Sequence, residues 1–146
     1  MSAFQIKGVV AVVTGGSSGI GLATVELLLE QGATVAFCGR NEERLRAAEA
    51  GLRERHPKAR LLAAVCDVLN AHDVQRFAAE AQQALGAASI LINNAGQGRV
   101  STFADTTDEA WSQELHLKFF SVIHPTRAFL HQLQPQSSHG HHAAII

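Results

Sequence analysis

The sequence predicts an α/β fold, a doubly wound parallel sheet of strand order 3-2-1-4-5 that stops within its fifth strand. Three observations predict it. Short unbroken apolar runs alternate with segments of helical period, in the order β-α-β-α-β-α-β-α-β. The first run turns through a glycine-rich stretch, Gly15 to Gly21, straight into a helical pattern. Polar and glycine residues suited to a ligand recur just after the carboxyl ends of the strands, the edge at which such sheets bind ligands. Right-handed crossovers then set the order, with the winding reversing between the first and fourth strands.

Gly8 to Val13 is a short, unbroken run of apolar and β-branched residues, as expected of a parallel strand covered on both faces. From Leu22 to Glu30 the pattern is helical: Ile20, Ala23, Thr24, Leu27 and Leu28 recur at helical spacing, and Gly32 is placed to be the C′ residue. Ala33 to Cys38 is the second strand. Asn41 caps a charged helix from Glu42 to Arg55, with Leu45, Ala48 and Leu52 as its inward stripe, and His56-Pro57 ends it. Arg60 to Cys66 is the third strand, followed by Asp67-Val68 and a helix from Ala71 to about Leu85 that gathers Val74, Phe77, Ala78 and Ala81 on one face. Ser89 to Asn93 is the fourth strand. After a loop from Gly96 to about Thr107, Asp108 to Gln132 is expected to be one long helix, capped by Thr107 or Asp108, with Glu109 suiting its dipole. Pro125 should kink or interrupt it. Gln134 to His142 is polar and aperiodic, hence a loop, and Ala143 to Ile146 is a strand beginning.

At 146 residues the chain is expected to be one domain, able to bury about two-thirds of its unfolded surface. Twelve Lys and Arg against 13 Asp and Glu give a net charge of −1 without a basic run, which argues against nucleic acid and acidic membrane surfaces as partners. Cys38 and Cys66 each end an apolar run, as two reduced, buried thiols of a cytosolic protein would. No signal peptide and no apolar segment of about 18 residues is present, so a soluble, cytoplasmic protein is expected.

The chemistry starts at Gly15 to Gly21. A strand turning sharply into a helix leaves the first helical N–H groups unpaired, with the positive end of the macrodipole behind them, and so makes an anion site. Gly15 lets the chain leave the strand, Gly19 lets backbone approach a phosphate, and Gly21 lets helix and strand pack closely. The Gly-Lys-Ser/Thr ending of a triphosphate loop is absent. Arg40 stands 19 residues after Gly21, where an acid would hold the adenosine ribose and repel a 2′-phosphate. No acid precedes it in Phe37-Cys38-Gly39. Arg40 can grip that phosphate in a charge-assisted fork, with Ser17 and Asn41 as further donors, so NADP(H) is favoured over NAD(H); the bland reading is a solvated surface arginine.

The spacing T-G-x-x-x-G-x-G at Thr14 to Gly21, followed by Asn93-Asn94-Ala95-Gly96, resembles the short-chain dehydrogenase/reductase family over Lys7 to about His131. The resemblance implies the N-terminal, cofactor-binding half of a Rossmann-fold oxidoreductase that moves hydride between NADP(H) and a small carbonyl or alcohol, and a homo-oligomer. The expected cofactor-binding residues are Gly15, Ser17, Ser18, Gly19, Ile20, Gly21, Arg40, Asn41, Asp67, Val68, Asn94, Ala95 and Gly96. Asp67 resembles the family's aspartate beside the adenine, with the Val68 backbone facing the ring; otherwise it caps a turn or helix. Asn94 resembles the asparagine that braces the strand edge, or serves as an ordinary turn residue.

Other family features are missing. The resemblance implies catalysis by Tyr-x-x-x-Lys, a serine at the end of the fifth strand and an asparagine in the long helix, yet this sequence has no tyrosine. Ser137 and Ser138 precede the last strand and do not map onto the catalytic serine. Seven residues after Trp111, where the family has asparagine, stands Lys118, which either serves a variant centre or faces solvent. His139, His141 and His142 lack acidic or cysteine partners, so no metal is assigned. His116, His124 and His131 share roughly one side of the long helix. Leu115, Phe119, Phe120, Val122 and Phe129 are core or interface candidates, with Phe119, Phe120 and Phe129 expected to drive self-association. Three readings follow: a truncated or split reductase half without catalytic residues, a non-enzymatic NADP-binding or interaction module, or a chain completed by a partner.

Overall fold

Val10–Thr14 forms β1, the centre of the sheet: it pairs in parallel with β2 (Thr34–Gly39) on one side and β4 (Ile90–Ile92) on the other, which is why no polar alternation interrupts it. β3 (Leu61–Val65) and β5 (Ala144–Ile145) lie outside these, giving the order β3-β2-β1-β4-β5 with every pairing parallel. The molecule is described here by a computed structural model, which covers residues 6–98, 102–133 and 143–146. Helices α1 (Gly19–Glu30), α2 (Glu42–Arg55), α3 (Ala71–Leu85) and α4 (Asp108–Phe129) make the crossovers.

The pleat divides the core in two. Ala11, Val13, Val35 and Phe37 face Val25 and Leu28 of α1 and Leu45 and Leu52 of α2. Val12, Ala36, Ala64 and Leu91 point the other way, onto Val74, Phe77 and Ala81 of α3 and Phe129 of α4. Cys38 and Cys66 lie in this second layer as free, buried thiols. The Cys66 side chain beside it, together with burial, pushes the Cys38 thiol well above its usual pKa range.

Local signals place the helix ends. Asn41, Asn70 and Thr107 accept hydrogen bonds from the first turns of α2, α3 and α4. Gly32 (φ +82°) ends α1 in a Schellman arrangement: its N–H donates to the Leu29 carbonyl and that of Ala33 to the Leu28 carbonyl. A tie across α1 and α2 joins Arg55 Nε to Glu26 Oε1 at 2.5 Å, with His56 Nε2 at 3.5 Å from the same oxygen. The hydrogen bond from Arg55 holds the Glu26 carboxyl below its ordinary range.

The structure corrects several expectations. α1 starts at Gly19 rather than Leu22, and its buried face is Gly21, Val25, Leu28 and Leu29; Ile20, Ala23 and Leu27 are exposed. The close seat of Gly21 on the sheet rotates the helix to this face. α4 runs unbroken through Pro125 to Phe129 instead of to Gln132, and the proline is buried. Gln132, beyond the helix, is buried, taking the Ala88 N–H on Oε1 and donating from Nε2 to the Ala78 carbonyl. Phe129 is fully buried, edge-on to Phe77 at 5.8 Å, and so cannot drive self-association. Phe119 stays exposed and Phe120 half-buried. Gln134 to His142, with Ser137, Ser138, His139, His141 and His142, lies outside the described residues.

Phe129→Ala is therefore expected to destabilise the fold by about 3–5 kcal/mol, read as a shift in urea denaturation midpoint, because it opens a cavity against Phe77 in a filled layer.

Candidate functional site

The site grows from the end of β1. Gly15 (φ +67°) carries the chain off the strand, and a Cβ on Gly21 would stand 2.2 Å from the Gly15 carbonyl oxygen and 2.4 Å from Asn94 Nδ2. Only a residue with no side chain lets α1 come so near. The same Asn94 amide donates to the carbonyls of Thr14 and Gly15, both at 3.1 Å, and the Ala95 N–H donates to Thr14 Oγ1 at 3.0 Å. β1 and the β4 loop are thus stitched together where the winding reverses. Asn94 braces the strand edge, as the sequence suggested.

The four helices differ in their N-termini. α2, α3 and α4 each have a side-chain cap and acidic residues in the first turn: Glu42 and Glu43, Asp73, and Asp108 and Glu109. α1 has neither. Its N-cap, Ser18, is extended and makes no side-chain capping bond, and no acid follows in the first turn. The first N–H groups of α1 and its partial positive charge are left to an outside acceptor.

A cavity of about 660 Å3 opens over this terminus. Gly15, Ser17, Ser18, Ile20 and Gly21 line it from the turn, Arg40 and Asn41 from the end of β2, Asp67 and Val68 from the end of β3, and Asn94, Ala95 and Gly96 from the β4 loop. Gly19 is not on the wall; its contribution is conformational, at φ +53° on the first residue of the helix, and a Cβ there would meet nothing within 4 Å. Asp67 serves a turn. Its Oδ1 takes the Leu69 N–H at 3.0 Å, a turn role, while the residue also faces the cavity. His124 of α4 sets Nδ1 3.0 Å from the Val68 carbonyl, and its ring stacks on Phe120, which stacks on His116. The cavity lining also includes Gly39, Arg44, Cys66 and Leu117. Arg44 was detectable in the sequence as the next cation on the exposed side of α2; Leu117 depends on how α4 crosses the sheet, which no local pattern states. Lys118 is exposed on α4.

The profile of the short chain dehydrogenase family matches residues 9–146. The chain belongs to the short-chain dehydrogenase family. A short chain oxidoreductase from Pseudomonas aeruginosa PAO1, described as containing an atypical catalytic center and solved with NADPH bound, is 71% identical. The match covers 94% of this chain and 52% of that one, with a TM-score of 0.88. A family member from Burkholderia phymatum, solved in complex with NAD, is 29% identical over 97% of this chain and 49% of its own, with a TM-score of 0.86. An uncharacterized oxidoreductase of Staphylococcus aureus (strain USA300) is 36% identical over 132 residues, 90% of this chain and 55% of its own length. The chain spans about half the length of the curated relatives it matches. No helix among the described residues is long and apolar enough to cross a membrane.

The glycines separate fold from binding. Gly21→Ala should lower stability by about 1–3 kcal/mol, since a methyl group cannot fit between α1 and the Gly15 carbonyl. Gly19→Val should lose dinucleotide binding with only a modest loss of fold, about 1–3 kcal/mol from backbone strain at φ +53°, because its side chain meets no neighbour but disturbs the first helical N–H groups. Urea denaturation beside a nucleotide titration distinguishes the two.

Proposed function

We propose that this chain is the dinucleotide-binding part of an NADP-dependent oxidoreductase that moves hydride between NADP(H) and a small carbonyl or alcohol. The observation that carries the reading is the bare N-terminus of α1. It is the one helix end among the described residues without a side-chain cap or an acid in its first turn, and it opens into the cleft between β1 and β4. A dinucleotide's diphosphate is the anion suited to it. Asp67 and Val68 would face the adenine, with Asn94, Ala95 and Gly96 beneath the cofactor.

Preference for the 2′-phosphorylated form rests on Arg40 and on the lack of an acid before it. At Gly39 a Cβ would stand 2.6 Å from Ser17 Oγ, so a side chain there would have to turn the Ser17 hydroxyl aside. The Pseudomonas aeruginosa oxidoreductase, which holds NADPH, supports this preference, and the Burkholderia phymatum protein, which holds NAD, marks the choice as one made by individual residues. Removing a charged partner of the 2′-phosphate costs about 1.5–3 kcal/mol, roughly tenfold to a hundredfold in affinity. Calorimetric titration should therefore find NADPH bound more tightly than NADH, with the difference reduced about tenfold or more in Arg40→Ala. An unchanged preference for NADPH in that variant would remove Arg40 from its role.

NADPH, when bound, supplies the hydride; a protein acid must supply the proton to the forming alkoxide, a contribution of about 10²–10⁴-fold. This sequence contains no tyrosine to do so and carries Lys118 in place of the family's asparagine. The atypical catalytic center of the Pseudomonas aeruginosa relative supports Lys118 as part of a variant centre in the whole protein. The polypeptide is expected to bind NADPH yet turn over ketones, aldehydes and alcohols at background, followed as NADPH absorbance. Steady turnover would point to Lys118 or a histidine as the acid. We place the protein in the cytoplasm as a homo-oligomer, the latter supported by the exposed row Leu115, Phe119, Val122 and Ile123 on α4.

A further inference from the structure

We propose that Arg44 joins Arg40 in a two-guanidinium clamp for a phosphomonoester dianion, which makes Arg44 a specificity residue for the 2′-phosphate. The inference rests on the dinucleotide reading above and extends it to a residue one turn into α2.

Four arginines of α2 and α3 spend their charge on carboxylates. Arg46 holds Glu49 at 3.0 Å and Glu42 at 3.9 Å, and Arg53 holds Glu49 at 2.8 Å. Arg55 holds Glu26 at 2.5 Å, and Arg76 holds Glu80 at 3.2 Å and Asp73 at 3.4 Å. Arg40 and Arg44 do otherwise. Among the described residues neither side chain has a hydrogen bond or an ion pair, both are exposed, and both line the same cavity. An anion seated in that cavity would meet two guanidiniums that no carboxylate among the described residues already holds.

The surroundings leave the pair free for a ligand. Asn41 Oδ1 accepts the backbone N–H of Arg44 at 2.8 Å, which fixes the start of α2 while leaving the Arg44 side chain uncommitted. Of the acids in that turn, Glu42 is drawn to Arg46, and neither it nor Glu43 lines the cavity. Asp67, the acid on the wall, already accepts the Leu69 N–H. Charge then decides which phosphate goes where. A diphosphate bridge carries one charge per phosphorus and suits the partial charge of the α1 terminus. A phosphomonoester carries close to two at neutral pH and matches a pair of forked donors.

The test is fluorescence titration of the chain and of its Arg44→Ala and Arg40→Ala/Arg44→Ala variants with NADPH and NADH, which differ only in the 2′-phosphate. Arg44→Ala should weaken NADPH by about tenfold or more and leave NADH within about twofold, and the double variant should bind both alike. The Asn41 side chain caps α2 through the backbone N–H of Arg44, so the variant keeps the helix start. Unchanged NADPH binding, or an equal loss for both nucleotides, would overturn the proposal. If the unaltered chain bound neither nucleotide, the dinucleotide reading would fail by itself. Titration with 2′-AMP then decides the clamp: binding that depends on Arg44 keeps it, and binding that does not, or none, ends it.

Discussion

The close seat of α1 on the end of β1 is the constraint from which the rest of the molecule takes its positions. Gly21 lies against the Gly15 carbonyl at a distance no side chain would allow, and Asn94 reaches from the β4 loop to hold both Thr14 and Gly15. That contact sets which face of α1 is buried, aims its N-terminus across the strand ends, and ties β1 to β4 at the reversal of winding. The cleft is a product of this geometry. Were α1 lifted by the width of a methyl group, the turn, the Asn94 bridge and the lining from β4 would separate.

Charge is distributed to the same end. Four arginines are consumed at home: those of the outer part of α2 and of α3 grip carboxylates one turn away or on a neighbouring helix, and three helix N-termini carry their own caps and acids. At the carboxyl edge of β1 and β2 the pattern stops. A helix dipole and two guanidiniums are left without partners around one cavity in a chain whose formal net charge is only −1. Local fields of this kind attract anions without any global excess of positive charge.

Sheet order, strand positions, the Asn41 cap and the C′ role of Gly32 were legible because each follows from short-range chemistry: unbroken apolar runs, a side chain that can accept an N–H, a residue that tolerates positive φ. Twelve of the thirteen expected site residues line one cavity for the same reason, since the strand ends gather them. What was not legible depends on partners distant in sequence. Ile20 and Leu27 look like core by spacing, but the rotation of α1 is set by Gly21 against Asn94, more than 70 residues away. Phe129 looked like exposed apolar surface until α3 supplied Phe77, and Gln132 is a buried bridge only because Ala78 and Ala88 present backbone groups to it.

The uncapped start of α1 also has a thermodynamic side. A helix whose first N–H groups find only water frays from that end, and its opening turn exchanges amide hydrogens more readily than turns held by Asn41, Asn70 or Thr107. An anion seated there is itself the missing cap. Occupancy and local folding are then one linked equilibrium, in which the first turn of α1 is completed by what the protein binds.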